Sequence, residues 1–222
     1  MVGGGVPRRL RLLCLHGWRT NAAVMNAQLQ GFRKAFGPDG VDFTILHAPF
    51  AASGPAHTTV SDNFDGPFFE WWDYIEHPAG APKRHEYVGW KASLEFAMDR
   101  IDRDGPFDAL VGFSQGAGMA TLLTAHYSST TRIPYSAVVL CCGLLPRDGM
   151  PRGLALPLSI PSFHILGKAD SRYGWGRKLL SAYDPRQRQV FEHAGGHRFP
   201  VYPEYMATYN SIAHDLRAIC IA

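Results

Sequence analysis

The chain has 222 residues, of which 46% are hydrophobic and 18% charged, with a formal net charge of +3. This composition excludes intrinsic disorder, and the length suits one large domain that buries its own core. No Lys/Arg run exceeds two residues and no apolar run approaches the roughly 18 residues of a membrane span, so neither a nucleic-acid partner nor a transmembrane helix is expected.

The first apolar run, Leu10–His16, reads as a strand. Arg11 interrupts it, and it does not read as a signal peptide. Phe43–Ala48 reads as a second strand. From Pro49 to Lys83 the pattern breaks down into five prolines, several glycines and the aromatic cluster Phe68, Phe69, Trp71, Trp72 and Tyr74. So long a loop in a compact domain is usually functional, and the aromatics argue against disorder; it is expected to pass over one edge of a sheet. Tyr87, Trp90, Leu94, Met98 and Ile101 form one apolar helical stripe, and Tyr205, Tyr209, Ile212, Leu216 and Ile219 form another near the C-terminus. Between them lie four more strand-like runs, Ala109–Phe113, Ala137–Cys142, Phe163–Leu166 and Gln189–His193, and a small-residue helix over Ala117–Ala125. Most of the strand runs are continuously apolar rather than alternating, as in a parallel sheet covered on both faces. The expected architecture is therefore a single α/β domain over residues 1–222, with sheet order 2-1-3-4-5-6 in the chain order of the predicted strands.

Gly112-Phe-Ser114-Gln-Gly116 matches G-x-S-x-G. The pattern is weak alone, but here an apolar strand enters it and a small-residue helix leaves it, the strand–elbow–helix context of an activated serine. The serine occupies a strained tight turn, and glycines two positions either side avoid a collision. A serine hydroxyl needs a base, and His197 is the best placed of ten histidines, just past the last strand on the turn Gly195-Gly196. His193 is its rival but ends the strand and suits a structural role; the same glycines make a His193/His197 metal pair on one helix untenable. In the fold built on such an elbow the chain order is Ser, acid, His, so the acid lies among Asp148, Asp170, Asp184 and Glu192. Asp170 closes a strand and a Gly-containing turn at the sheet edge, whereas Asp184 reads as a turn residue and Asp148 sits in a Pro/Gly-rich loop. The backbone N–H groups of Gln115 and Trp18 are the candidate oxyanion donors, the latter following the His16-Gly17 end of the first strand. His16 falls on the wrong side of Ser114 for catalysis in this order and is expected to be structural.

The segments Leu13–Trp18, Gly105–Ala117, Gly167–Asp170 and His193–Pro200 together resemble the FSH-type serine hydrolases, collinearly from about Arg9 to Leu216. The resemblance implies an α/β-hydrolase fold lacking the first antiparallel strands, a triad at Ser114, Asp170 and His197, and carboxylesterase or acyl-thioesterase activity without cofactor or metal. The expected partner is a small-molecule ester or thioester. Phe68, Phe69, Trp71 and Trp72 are candidates for an apolar acyl-binding wall. A non-catalytic apolar-ligand-binding protein and a small peptidase are the rival readings. Four cysteines without CxxC or metal spacing suit buried, reduced thiols in a cytoplasmic protein.

Overall fold

The computed structural model describes residues 8–80, 82, 85–130 and 132–221. Its strands in chain order are β1 (Leu10–Leu15), β2 (Val41–Leu46), β3 (Phe50–Ala51), β4 (Phe69–Glu70), β5 (Asp73–Glu76), β6 (His85–Val88), β7 (Ala109–Phe113), β8 (Ala137–Cys141), β9 (Ser162–Gly167) and β10 (Arg188–His193). The helices are α1 (Ala22–Gln28), α2 (Gln30–Phe36), α3 (Thr58–Ser61), α4 (Trp90–Asp104), α5 (Gln115–Thr130), α6 (Tyr173–Leu179) and α7 (Met206–Ile221). Six strands form one sheet in the order β10-β9-β8-β7-β1-β2, and every pairing in it is parallel. This is the predicted order, and the fold is that of an α/β hydrolase. No helix among the described residues is long and apolar enough to cross a membrane.

The apolar strand runs follow from cover on both faces. Along β1, Leu10, Leu12 and Cys14 pack in one cluster with Phe32 of α2 and Tyr209, Ile212 and Leu216 of α7. Leu13 and Leu15 point the other way, into a cluster with Leu94 and Ile101 of α4 and Leu122 and Leu123 of α5. β7 and β8 divide in the same manner, with Val111 and Val139 on the first face and Leu110 and Val138 on the second. Burying a polar side chain on either face requires a partner, as for Ser162 and His164 of β9, which are hydrogen-bonded to each other at 3.1 Å, so the central strands are mostly apolar on both faces.

The excursion after β2 is more structured than its sequence suggests. It contains α3 and the small antiparallel pair of β3 with β4, and its β5 pairs antiparallel with β6 just beyond it. Lys83, its predicted end, lies outside the described residues. A bridge between Thr20 and Phe69 ties it to the loop after β1. The predicted stripe from Tyr87 also divides here: Tyr87 belongs to β6, and α4 begins only at Trp90, after Gly89 takes φ +92°.

His16, at the end of β1, is fully buried and structural. Its Nε2 accepts a hydrogen bond from the Ala48 N–H at 3.0 Å, so Nδ1 carries the proton and donates to the Gly17 carbonyl at 2.8 Å. The ring thereby joins the loops after β1 and β2, and only as the neutral imidazole. Burial pushes its pKa down to about 4, and burial lowers that of His164 to about 3. Both groups bind protons more readily in the unfolded chain, so their contribution is intact above the ordinary histidine pKa and is lost on acidification. The urea midpoint is expected to hold steady above about pH 7 and to fall from about pH 6.5 toward pH 4. A midpoint unchanged between pH 7.5 and 4.5 would contradict this assignment.

Candidate active site

The centre of the site is the turn between β7 and α5. Ser114 has φ +52°, a left-handed conformation costly for a residue with a side chain. Its N–H donates to the Cys141 carbonyl at 2.9 Å and its carbonyl accepts from Ala117 and Gly118, so neighbours on both sides hold the strained turn. A Cβ at Gly112 would lie 2.5 Å from the Ala117 Cα, and one at Gly116 would lie 2.1 Å from the Leu15 carbonyl oxygen. Both are backbone collisions, so the two glycines let the elbow close on itself and press against the end of β1.

The acid and the base arrive on adjacent loops. After β9 the chain turns at Gly167 to Asp170, and after β10 it turns through Gly195-Gly196 to His197. Lys168 and Ala169 donate their N–H groups to the carbonyls of His193 and Gly195 at 2.8 and 3.1 Å, lacing the two loops together. The His197 Nδ1–H donates to Asp170 Oδ2 at 2.6 Å, which leaves Nε2 to accept from the Ser114 hydroxyl at 2.9 Å. The Asp170 side chain is 3% exposed, and its other oxygen accepts from the Arg172 N–H at 2.7 Å. Phe113 packs under the imidazole with ring centroids 5.2 Å apart. The sequence rivals take other partners: Asp184 pairs with Arg186 at 2.8 Å, Glu192 pairs with Lys168 at 3.4 Å, and His193 is buried with its Nδ1 accepting from the Gly195 N–H.

The loop after β1 runs past the nucleophile, since a Cβ at Gly17 would lie 3.6 Å from the Ser114 Cβ. Trp18 follows, 40% exposed, with the Arg19 guanidinium 4.0 Å over its ring.

The four aromatics expected to line a ligand wall divide. Phe68 and Phe69 are half-buried, and Phe69 makes an edge contact with His47. Trp71 and Trp72 are core residues, at 0% and 2% exposure, and leave no ring surface open to a ligand. The Trp71 indole N–H donates to the His16 carbonyl at 2.9 Å, and Trp72 stacks on Tyr87 at 4.8 Å. Two adjacent residues can both be internal here because the segment is no regular strand at this point but crosses the end of α5.

Sequence reasoning assigned Gln115 for its backbone N–H and missed its side chain. Buried at 4% exposure, the amide accepts from the Trp71 N–H at 2.9 Å and donates to the Trp72 carbonyl at 2.7 Å. It thus fastens the aromatic segment to the residue after the nucleophile. A polar amide amid small apolar residues was the available signal. A second group missed by sequence reasoning is Cys142, directly after β8, with φ +48° and 5% exposure. Its pKa is pulled down to about 5, chiefly by a hydrogen bond with the Cys141 thiol, with the imidazoles of His193 and His197 adding to the effect and burial opposing it.

A half-buried serine on a strained elbow, hydrogen-bonded through a histidine to a buried carboxylate at the carboxyl edge of a parallel sheet, is the arrangement of an α/β-hydrolase-type serine hydrolase. The family model described as Serine hydrolase (FSH1) matches residues 6–209, and the chain belongs to that family. It is 29% identical over 217 residues to Esterase GA18864 of Drosophila pseudoobscura pseudoobscura, covering 95% of this chain and 73% of that protein. It is 30% identical over 207 residues to Esterase OVCA2 of Homo sapiens, covering 87% of this chain and 90% of the human protein. Among solved structures it is similar to Zea mays acyl-protein thioesterase 2, with TM-score 0.65 and 21% identity over 99% of this chain and 97% of that one, a likeness of fold.

Removing the Gln115 side chain would leave the Trp71 N–H and Trp72 carbonyl buried without partners. Gln115→Ala is expected to destabilise the fold by about 1–3 kcal/mol, read from urea unfolding. A loss below about 0.5 kcal/mol would show that the clamp is dispensable.

Proposed function

We propose that the protein hydrolyses carboxylic esters or thioesters of apolar acyl groups through an acyl-enzyme on Ser114. The observation that carries this is the unbroken hydrogen-bonded chain Ser114–His197–Asp170. His197 Nε2 takes the hydroxyl proton as Ser114 attacks the carbonyl carbon, and Asp170 holds the ring in the required tautomer and stabilises the imidazolium. The developing oxyanion is received by the backbone N–H groups of Gln115 and Trp18, the first at the N-terminus of α5, the second on the loop beside Ser114. His197 then protonates the departing alkoxide or thiolate. Water, deprotonated by the same imidazole, releases the acid and restores the serine.

The acyl group has apolar surface to meet in the exposed Trp18 ring and the half-buried Phe68 and Phe69. Relatives and structural neighbours named as esterases and a thioesterase support the reaction class. All four cysteines are free thiols, which supports a reducing, cytoplasmic setting.

Ser114→Ala is expected to lower kcat on p-nitrophenyl esters by about 10⁴ or more with the fold intact. Asp170→Asn is expected to cost up to about 10⁴, while Asp184→Asn leaves the rate within a few-fold. A Ser114→Ala protein retaining a tenth of wild-type turnover, or a harmless Asp170→Asn, would overturn the assignment. With each buried methylene worth about 0.8 kcal/mol, kcat/KM is expected to rise by up to about fourfold per methylene from acetyl to medium-chain esters. A flat chain-length profile would remove the apolar-acyl part of the proposal.

A further inference from the structure

The Cys142 Sγ, a carboxylate oxygen of Asp170 and a ring nitrogen of His197 all lie within 4.8 Å of one another. We infer that these three side chains form a binding site for zinc, and that its occupancy switches the hydrolase off. This rests on the proposed roles of Asp170 and His197 for its inhibitory consequence, though not for the binding itself.

The donor set is one thiolate, one imidazole and one carboxylate, a combination that suits zinc and its soft relatives and is poor for magnesium or calcium. Zinc–ligand bonds of about 2.0–2.3 Å place tetrahedral ligands about 3.5 Å apart, so closing the site takes side-chain shifts of about 1 Å. The β8 end is rigid on this scale: the Cys142 N–H donates to the Ile165 carbonyl at 2.9 Å, and the thiol lies 3.5 Å from the Arg198 carbonyl. Next to the thiol, His193 is 2% exposed, and its Nδ1 accepts from the Gly195 N–H, so Nε2 carries the proton. The imidazole stands beside Cys142 as a hydrogen-bond donor toward its sulfur. Asp170 and Cys142 are buried while His197 remains partly open, giving the ion a route in and solvent a fourth ligand position.

The chemistry of inhibition does not depend on which ring nitrogen binds. Zinc on Nε2 occupies the lone pair that would take the Ser114 proton. Zinc on Nδ1 displaces the proton shared with Asp170 onto Nε2, with the same result. In either case Cys142 ligates as the thiolate, and nothing is oxidised or reduced.

The test uses the purified protein with zinc or cobalt chloride alone. Wild-type protein is expected to lose activity on a p-nitrophenyl ester with added zinc and to recover it with EDTA. Cys142→Ala, which keeps the triad, is expected to need at least tenfold more zinc for the same inhibition. One equivalent of cobalt is expected to give a thiolate-to-metal charge-transfer band in wild-type and Ser114→Ala proteins, absent from Cys142→Ala and displaced by zinc. Equal zinc sensitivity of wild type and Cys142→Ala, or no thiolate–cobalt band in wild type, would overturn the inference. The cobalt band is read without turnover, so a protein that binds cobalt through its thiolate but hydrolyses no ester would sustain the metal site while removing the esterase proposal. The wild-type band also keeps the inference testable if Cys142→Ala fails to fold.

Discussion

The left-handed backbone of Ser114 is a conformation that the residue would not keep on its own, at a cost of roughly 1–3 kcal/mol. Three neighbours impose it: the Cys141 carbonyl at the end of β8, the first turn of α5, and the end of β1 against which Gly116 is pressed. Each comes from a different buried element, so the strain is held by the core of the sheet rather than by the loop. The hydroxyl is thereby fixed at the carboxyl edge, where the loops after β1, β9 and β10 also emerge. The fold concentrates its irregular backbone there, and the parallel arrangement makes this unavoidable, because every strand ends on the same side.

The same logic explains how residues 83 positions apart meet. Asp170 and His197 need no long-range guidance beyond the pairing of β9 with β10, whose register sets His193 opposite Gly167. The interloop hydrogen bonds from Lys168 and Ala169 then complete the approach. Burial of the Asp170 side chain strengthens its interaction with the imidazole, and the Arg172 N–H satisfies the oxygen that His197 does not use.

Much of this was legible in the residues themselves. The apolar runs located all six strands of the main sheet, and G-x-S-x-G in its strand–turn–helix context located the elbow. Asp170 and His197 were accessible because each follows a strand through a glycine turn. The excursion was not legible in the same way. Trp71 and Trp72 looked like a ligand wall because large aromatics in a Pro/Gly-rich loop carry no periodicity, and burial there is decided by contacts with α5 and β6 that local pattern does not encode. The Gln115 clamp and the position of Cys142 beside the triad are likewise tertiary facts: the first needs the excursion docked, the second needs three strand ends brought together.

The central claim is that Ser114 is an activated nucleophile, and its reaction with a fluorophosphonate probe tests it most directly. Peptide mapping of the labelled wild-type protein is expected to find one adduct per chain, on Ser114, with labelling slowed by orders of magnitude in His197→Ala. An unlabelled protein, or an adduct on another residue, would contradict the account.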